Sequence, residues 1–133
     1  MVEYMRLEIV TPESQVVNEE VQIVMAPGSL GEFGALKGHT PFMTTLNIGS
    51  IRYKNTKGEE ECAFVSGGFA EVLPDKVTVL AESAELSCDI DVTRAKAALE
   101  RAQKRLSGDE KDADFERAQA AFRRATYRLM IAG

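Results

Sequence analysis

Four arginines are the side chains of this sequence best suited to chemistry. Arg94 and Arg101 stand seven positions apart and Arg124 and Arg128 four apart, so on a helix each pair shares one face. A guanidinium fork matches phosphate oxygens two bonds at a time. Glu85 and Asp91, at the start of the same region, carry carboxylates able to accept hydrogen bonds from a base or a ribose. Spacing alone leaves two readings open: a phosphate-binding cluster, or a solvated helix surface with ordinary i,i+4 ion pairs.

Other chemistries lack the residues they need. His39 is the one histidine among 133 residues, so a histidine-based metal cluster is excluded and a Ser-His-Asp triad would hang on this residue alone. Neither GxSxG nor HExxH surrounds it, which leaves it a structural or partner-contacting role. The stretch GSLGEFGALKGH, beginning at Gly28, has neither GxGxxG nor GK[ST] and no helix pattern directly after it. It reads as an irregular loop that needs positive φ or close backbone approach at several glycines. Cys62 and Cys88 lie 26 positions apart without CxxC spacing, so they read as free thiols packed as small buried hydrophobes in a reducing compartment. No constellation for an enzyme remains.

The elements that carry the arginines are set apart by composition. Residues 1–88 hold 13 acidic and 6 basic side chains, net −7, while residues 89–133 hold 8 acidic and 10 basic, net +2. All four prolines and eight of the ten glycines lie in the first part. Both residue types punctuate strands and turns and are excluded from helix interiors. The expected fold is therefore α+β: an N-terminal antiparallel β-sandwich or barrel over residues 1–86, then a C-terminal antiparallel two-helix hairpin over residues 87–133.

Apolar residues alternate through Met5-Arg6-Leu7-Glu8-Ile9, and Val21–Met25 forms a second apolar run after the turn Thr11-Pro12-Glu13-Ser14. Asn55-Thr56-Lys57-Gly58 and Pro74-Asp75 each sit between strand-like runs and predict hairpins. Beyond Asp89 the period changes. Val92, Ala95, Leu99, Ala102 and Leu106 make one helical stripe with Asp91 as N-cap, and Phe115, Ala118, Phe122, Ala125 and Leu129 repeat its spacing after the break Ser107-Gly108-Asp109. Four of these ten positions are alanine, so the seam is thin. A hairpin held so lightly is expected to dock on the β domain or on a partner, and to be able to leave.

Whole-chain figures fit a folded protein, with 44% hydrophobic residues, 28% charged and a formal charge of −5. Net acidity argues against a nucleic-acid binder. No apolar run approaches the roughly 18 to 20 residues that cross a bilayer, and no basic stretch followed by an apolar one opens the chain, so neither spanning nor export is expected.

Three stretches, GSLGEFGALKGHTPF, FVSGGFAEVLPDKVTVLAESAE and DIDVTRAKAALERAQKRL, resemble the epsilon subunit of bacterial F-type ATP synthases, the counterpart of the mitochondrial delta subunit. The resemblance covers essentially the whole chain in order and spacing; Lys37 departs from it, standing where the family commonly has proline. It implies a non-catalytic rotor subunit of the central stalk, peripheral on the cytoplasmic side of the bacterial inner membrane and attached only through the complex. Its implied partners are the gamma subunit, the ring of c subunits and, when the hairpin extends, the alpha and beta subunits of the catalytic head. The hairpin is then a regulator, permissive when folded on the sandwich and inhibitory to ATP hydrolysis when extended. No cofactor is required, but some members bind ATP as a regulatory ligand through a motif I/L-D-x-x-R-A, which stands here as Ile90-Asp91-Val92-Thr93-Arg94-Ala95. The resemblance carries ATP contacts onto Glu85, Asp91, Arg94, Ala95, Arg101, Arg124 and Arg128, and c-ring contacts onto Glu32 and His39. It leaves open whether Mg²⁺ accompanies the nucleotide. The alternative class is a free-standing nucleotide-sensing binding module, which would purify as a monomer without gamma.

Overall fold

The computed structural model describes residues 3–108 and 114–132. Seven strands come first: β1 (Met5–Val10), β2 (Gln15–Gly28), β3 (Gly31–Ala35), β4 (Phe42–Asn55), β5 (Glu60–Leu73), β6 (Lys76–Leu80) and β7 (Ala84–Leu86). A short 3-10 turn, Ser87–Asp89, leads into α1 (Val92–Leu106) and α2 (Phe115–Ala132). Of the expected helix break, Ser107 caps α1 and Gly108 adopts positive φ, while Asp109 lies outside the described residues. Among the described residues no helix is long and apolar enough to cross a membrane.

The strands close on themselves. β1 pairs antiparallel with β2 and parallel with β6, and the ring continues through β5 and β4 back to β2. β2, β4 and β5 are each 14 residues long and bend. β5, for instance, pairs with β7 at Ala63–Val65 and with β6 from Phe69 onward. Gly68 sits at that change of partner with φ +117, and a Cβ there would lie 2.0 Å from the Leu80 carbonyl oxygen. Only glycine lets the two backbones approach so closely.

Alternation then sorts the side chains. Leu7, Ile9, Val21, Val24, Ile51, Val65, Val72, Val77 and Val79 are fully buried in one core, each worth roughly 1.5–3 kcal/mol relative to exposure. β5 breaks the pattern, because Ala63, Phe64 and Val65 are all buried in succession. Ala63 and Val65 belong to the core, whereas Phe64, on the opposite face, is fully buried yet outside that cluster. The side chain is covered from outside, by α2, which packs on β4 and β5.

Both expected turns form. Asn55 Oδ1 accepts from the backbone N–H groups of Lys57 and Glu59, and Gly58 takes positive φ. Residues 28–39 depart from the expected irregular loop: Gly31–Ala35 is a strand paired with Val24–Gly28 of β2. The glycines admit a tight β2–β3 hairpin, with Gly31 at φ +135, and leave only residues 36–41 irregular. The thiols also differ from expectation. Both are free, but Cys62 is half-buried and Cys88 is exposed, because it lies in the connecting turn and not in a packed strand.

The end of α2 bonds residues that immediately precede α1, so the two helices run antiparallel as a hairpin. Asp91 caps α1 by accepting from Arg94 N–H at 3.0 Å, and Asp114 caps α2 through Arg117 N–H. Within both helices the fully buried residues are Ala95, Ala102, Ala118 and Ala125. The larger seam residues are only partly covered, and Val92 and Phe115, at the first position of each helix, are exposed.

Candidate functional site

Small side chains on the seam bring the helices close and leave their flanking residues to line a cleft of about 600 Å³. It opens along both helices and reaches the barrel at β7. Glu85, Asp91, Arg94, Ala95, Arg101, Arg124 and Arg128, the seven residues singled out for a nucleotide, all line it. Arg105 and Arg117 join them, as do Asp89 and Ser83. Sequence reasoning missed both arginines although a signal was present. Arg94, Arg101 and Arg105 are spaced seven and four, and Arg117, Arg124 and Arg128 repeat that spacing on the second helix.

The electrostatics of the cleft are lopsided. Six guanidinium groups face three carboxylates, Glu85, Asp89 and Asp91. Among the described residues only Arg128 of the six is ion-paired. Arg128 Nε donates to both Glu85 carboxylate oxygens at 3.1 and 3.3 Å, while its Nη2 lies 3.0 Å from Oε1. Its guanidinium also lies 4.3 Å over the Phe64 ring, a cation–π contact. Glu85 and Arg128 thus fasten α2 to the barrel, and Asp91 is engaged as the α1 cap. The remaining five arginines present charge without a counter-ion among the described residues, the arrangement that an anion of several charges satisfies.

Glu32 and His39 lie elsewhere. Glu32, exposed on β3, pairs with Arg52 of β4 on the outward sheet face that α2 covers at Phe64. His39 is in the segment before β4, with Nδ1 2.6 Å from the Thr40 carbonyl and its ring tilted against Phe42, which meets Phe33 edge-on. Leu30, Leu36, Phe42 and Met43 are exposed in the same region, an apolar surface beside the histidine.

A β barrel with a helical hairpin latched to its flank, and an arginine-lined cleft within that hairpin, defines a two-part α+β protein. Two family descriptions match the chain: ATP synthase, Delta/Epsilon chain, beta-sandwich domain over residues 4–87, and the long alpha-helix domain of the same chain over residues 89–133. An ATP synthase epsilon chain of Desulforapulum autotrophicum is 60% identical over 131 residues, covering 98% of this chain and 97% of that protein. One from Syntrophobacter fumaroxidans is 52% identical over 132 residues, 99% and 98% of the two chains. A chain in the Euglena gracilis mitochondrial ATP synthase structure of OSCP, F1 and c-ring shares the fold with TM-score 0.80 at 21% identity, over 97% of this chain and 80% of that one. The chain belongs to the ATP synthase delta/epsilon family, whose epsilon chains are non-catalytic subunits of the central stalk.

Proposed function

We propose that the subunit couples c-ring rotation to the catalytic head and restrains ATP hydrolysis through its hairpin, with ATP bound in the arginine cleft holding the hairpin on the barrel. One observation carries the nucleotide reading: the seven residues that the family resemblance names line a single cleft, with two further arginines beside them. Its volume lies in the range of small-molecule pockets. The cleft's charge suits a polyphosphate.

The mechanism follows from competing terms. Closing the hairpin gathers six guanidinium groups, which repel one another, around a seam whose fully buried members are alanines. The Arg128–Glu85 pair and the Phe64 contact oppose opening. A polyphosphate bound between the arginines removes the repulsion and binds the closed form only, so it shifts the population toward closure. Without it the hairpin separates at small cost in buried area and is free to extend along gamma toward the alpha and beta subunits. Glu32 and His39, beside exposed Leu30, Leu36 and Met43, are the proposed c-ring contacts, and the complex holds the subunit on the cytoplasmic side of the bacterial inner membrane.

Calorimetric titration of the full chain with ATP, beside Arg94→Ala, tests the nucleotide reading. Heat and thermal stabilisation are expected for the parent and not for the variant; neither signal at millimolar ATP defeats the proposal. Glu32→Arg, if folded, is expected to lose co-purification with the c ring, and unchanged binding sinks that contact. Co-purification with gamma in a membrane-attached assembly separates the stalk role from a free-standing sensor.

A further inference from the structure

A second cleft, of about 490 Å³, shares no residue with the arginine cleft. Glu19 and Glu20 of β2, Glu59 and Glu61 around the β4–β5 turn, Tyr53 of β4 and Leu86 of β7 line it. Lys57 is the one cation of the lining. Tyr53 is only 4% exposed, with its ring in the core. Its hydroxyl makes no hydrogen bond to a described residue, although no fully buried side-chain polar atom among those residues lacks a partner. The hydroxyl is therefore the part of Tyr53 that reaches the cleft, open to solvent and with no acceptor among the described residues. Burial, followed by the carboxylates of Glu19 and Glu61, keeps it protonated.

The backbone around the cleft is incompletely paired. Among the described residues the Gln15–Glu20 arm of β2 pairs only with β1, and β7 pairs only with β5. Two strand margins thus border one acidic cleft. No group of three or more acidic, histidine or cysteine side chains among the described residues could hold a metal ion, so the glutamates are spread along the opening. Spread carboxylates suit positive charges that are themselves spaced, and a strand margin suits an extended main chain. The Tyr53 hydroxyl fits the same occupant, because a peptide carbonyl accepts the bond it has to give.

We propose that this cleft is a docking surface for an extended, basic segment of a partner polypeptide, its arginine or lysine side chains meeting Glu19, Glu20, Glu59 and Glu61. The site is independent of the nucleotide reading. Peptides that lie along a strand margin draw affinity from main-chain bonds and selectivity from side chains, here of positive charge.

The test titrates the full chain with an octapeptide of alternating arginine and valine while backbone amides are followed by nuclear magnetic resonance. Saturable binding is expected, with shifts centred on residues 15–21, 53–61 and 84–86. Glu19→Lys combined with Glu61→Lys is expected to weaken it about tenfold or more, the scale of losing one charge-assisted bond. Tyr53→Phe, which keeps the ring in the core, is expected to weaken it severalfold; circular dichroism confirms that each variant folds, and Glu19→Gln with Glu61→Gln serves if charge reversal does not. Absent saturation at millimolar peptide, shifts centred elsewhere, or affinity unchanged by the glutamate variants overturns the proposal. So does spermine binding that equals the peptide's, which would make the cleft a polyamine site.

Discussion

Arg128 reaches from the last turns of α2 to Glu85 on β7, donating from Nε to both carboxylate oxygens across 43 positions of sequence. The pair is only 23% and 32% exposed, and Phe64 lies beneath the guanidinium. Removing one partner leaves the other half-buried and uncompensated, at a cost of about 1–3 kcal/mol. Glu85→Ala is expected to lower hydrogen-exchange protection across α2 while leaving β1, β4 and β6 protected. Equal protection of α2 in parent and variant removes the latch from the mechanism.

The seam gives a second expectation. Ala102 is 2% exposed between the helices and also lines the arginine cleft, so a larger side chain there either parts the helices or enters the cleft. Ala102→Leu is expected to overpack the hairpin by about 1–3 kcal/mol and to weaken ATP binding by parting the two arginine rows or entering the cleft between them. The barrel's own unfolding transition should not move. A variant that binds ATP as tightly as the parent refutes the close-packed seam as a requirement.

Arginine chemistry can be separated from mere charge in the cleft. Arg101→Ala is expected to lower ATP affinity about tenfold or more, since a hydrogen bond to a charged group contributes about 1.5–3 kcal/mol. Arg101→Lys should recover only part of the loss, because an ammonium lacks the planar fork. Full recovery by lysine, measured by calorimetry at fixed salt, would show that Arg101 acts as a point charge.

Alkaline stability reports on Tyr53. Burial first, and then Glu19 and Glu61, raise its pKa above the ordinary 10.0, and burial raises Cys62 above 9.0. In both cases the unfolded chain loses its proton at lower pH than the folded one. Stability from these groups is therefore complete below about pH 9 and falls as pH rises. Melting temperature is expected to decline from pH 9 upward, and Tyr53→Phe should remove the portion beyond pH 10. An identical decline in Tyr53→Phe contradicts this assignment.

Much of the site was legible because helical spacing is a local property. Spacing put Arg94 with Arg101 and Arg124 with Arg128 on shared helix faces without choosing between a ligand cluster and a solvated surface, the family resemblance added the motif at Ile90–Ala95, and both alanine pairs lay on the stripes that 3.6-residue periodicity requires. Arg105 and Arg117 were equally legible in the repeated seven-and-four spacing, but nothing local distinguishes a cleft-facing arginine from a solvated one. Strand alternation read β1 correctly and could not read Phe64, because both faces of β5 are covered there and the outer cover is a helix 51 residues or more further along the chain. Glycines 28–38 looked irregular for a related reason: positive φ at Gly31 marks a turn, yet the pairing that makes β3 a strand is supplied by β2.

By itself the sequence determined the division into an acidic β part and a basic helical part, the thin seam and the pairs of arginines that share a helix face. Periodicity, turn chemistry and charge act over a few neighbours, so they are written locally. Tertiary structure alone decided that Glu85 is engaged by Arg128, that Phe64 is sealed by α2 and that Tyr53 opens into an acidic cleft. Each of those depends on which surfaces meet once the barrel closes and the hairpin docks, and a partner 43 positions away leaves no periodic trace in the chain.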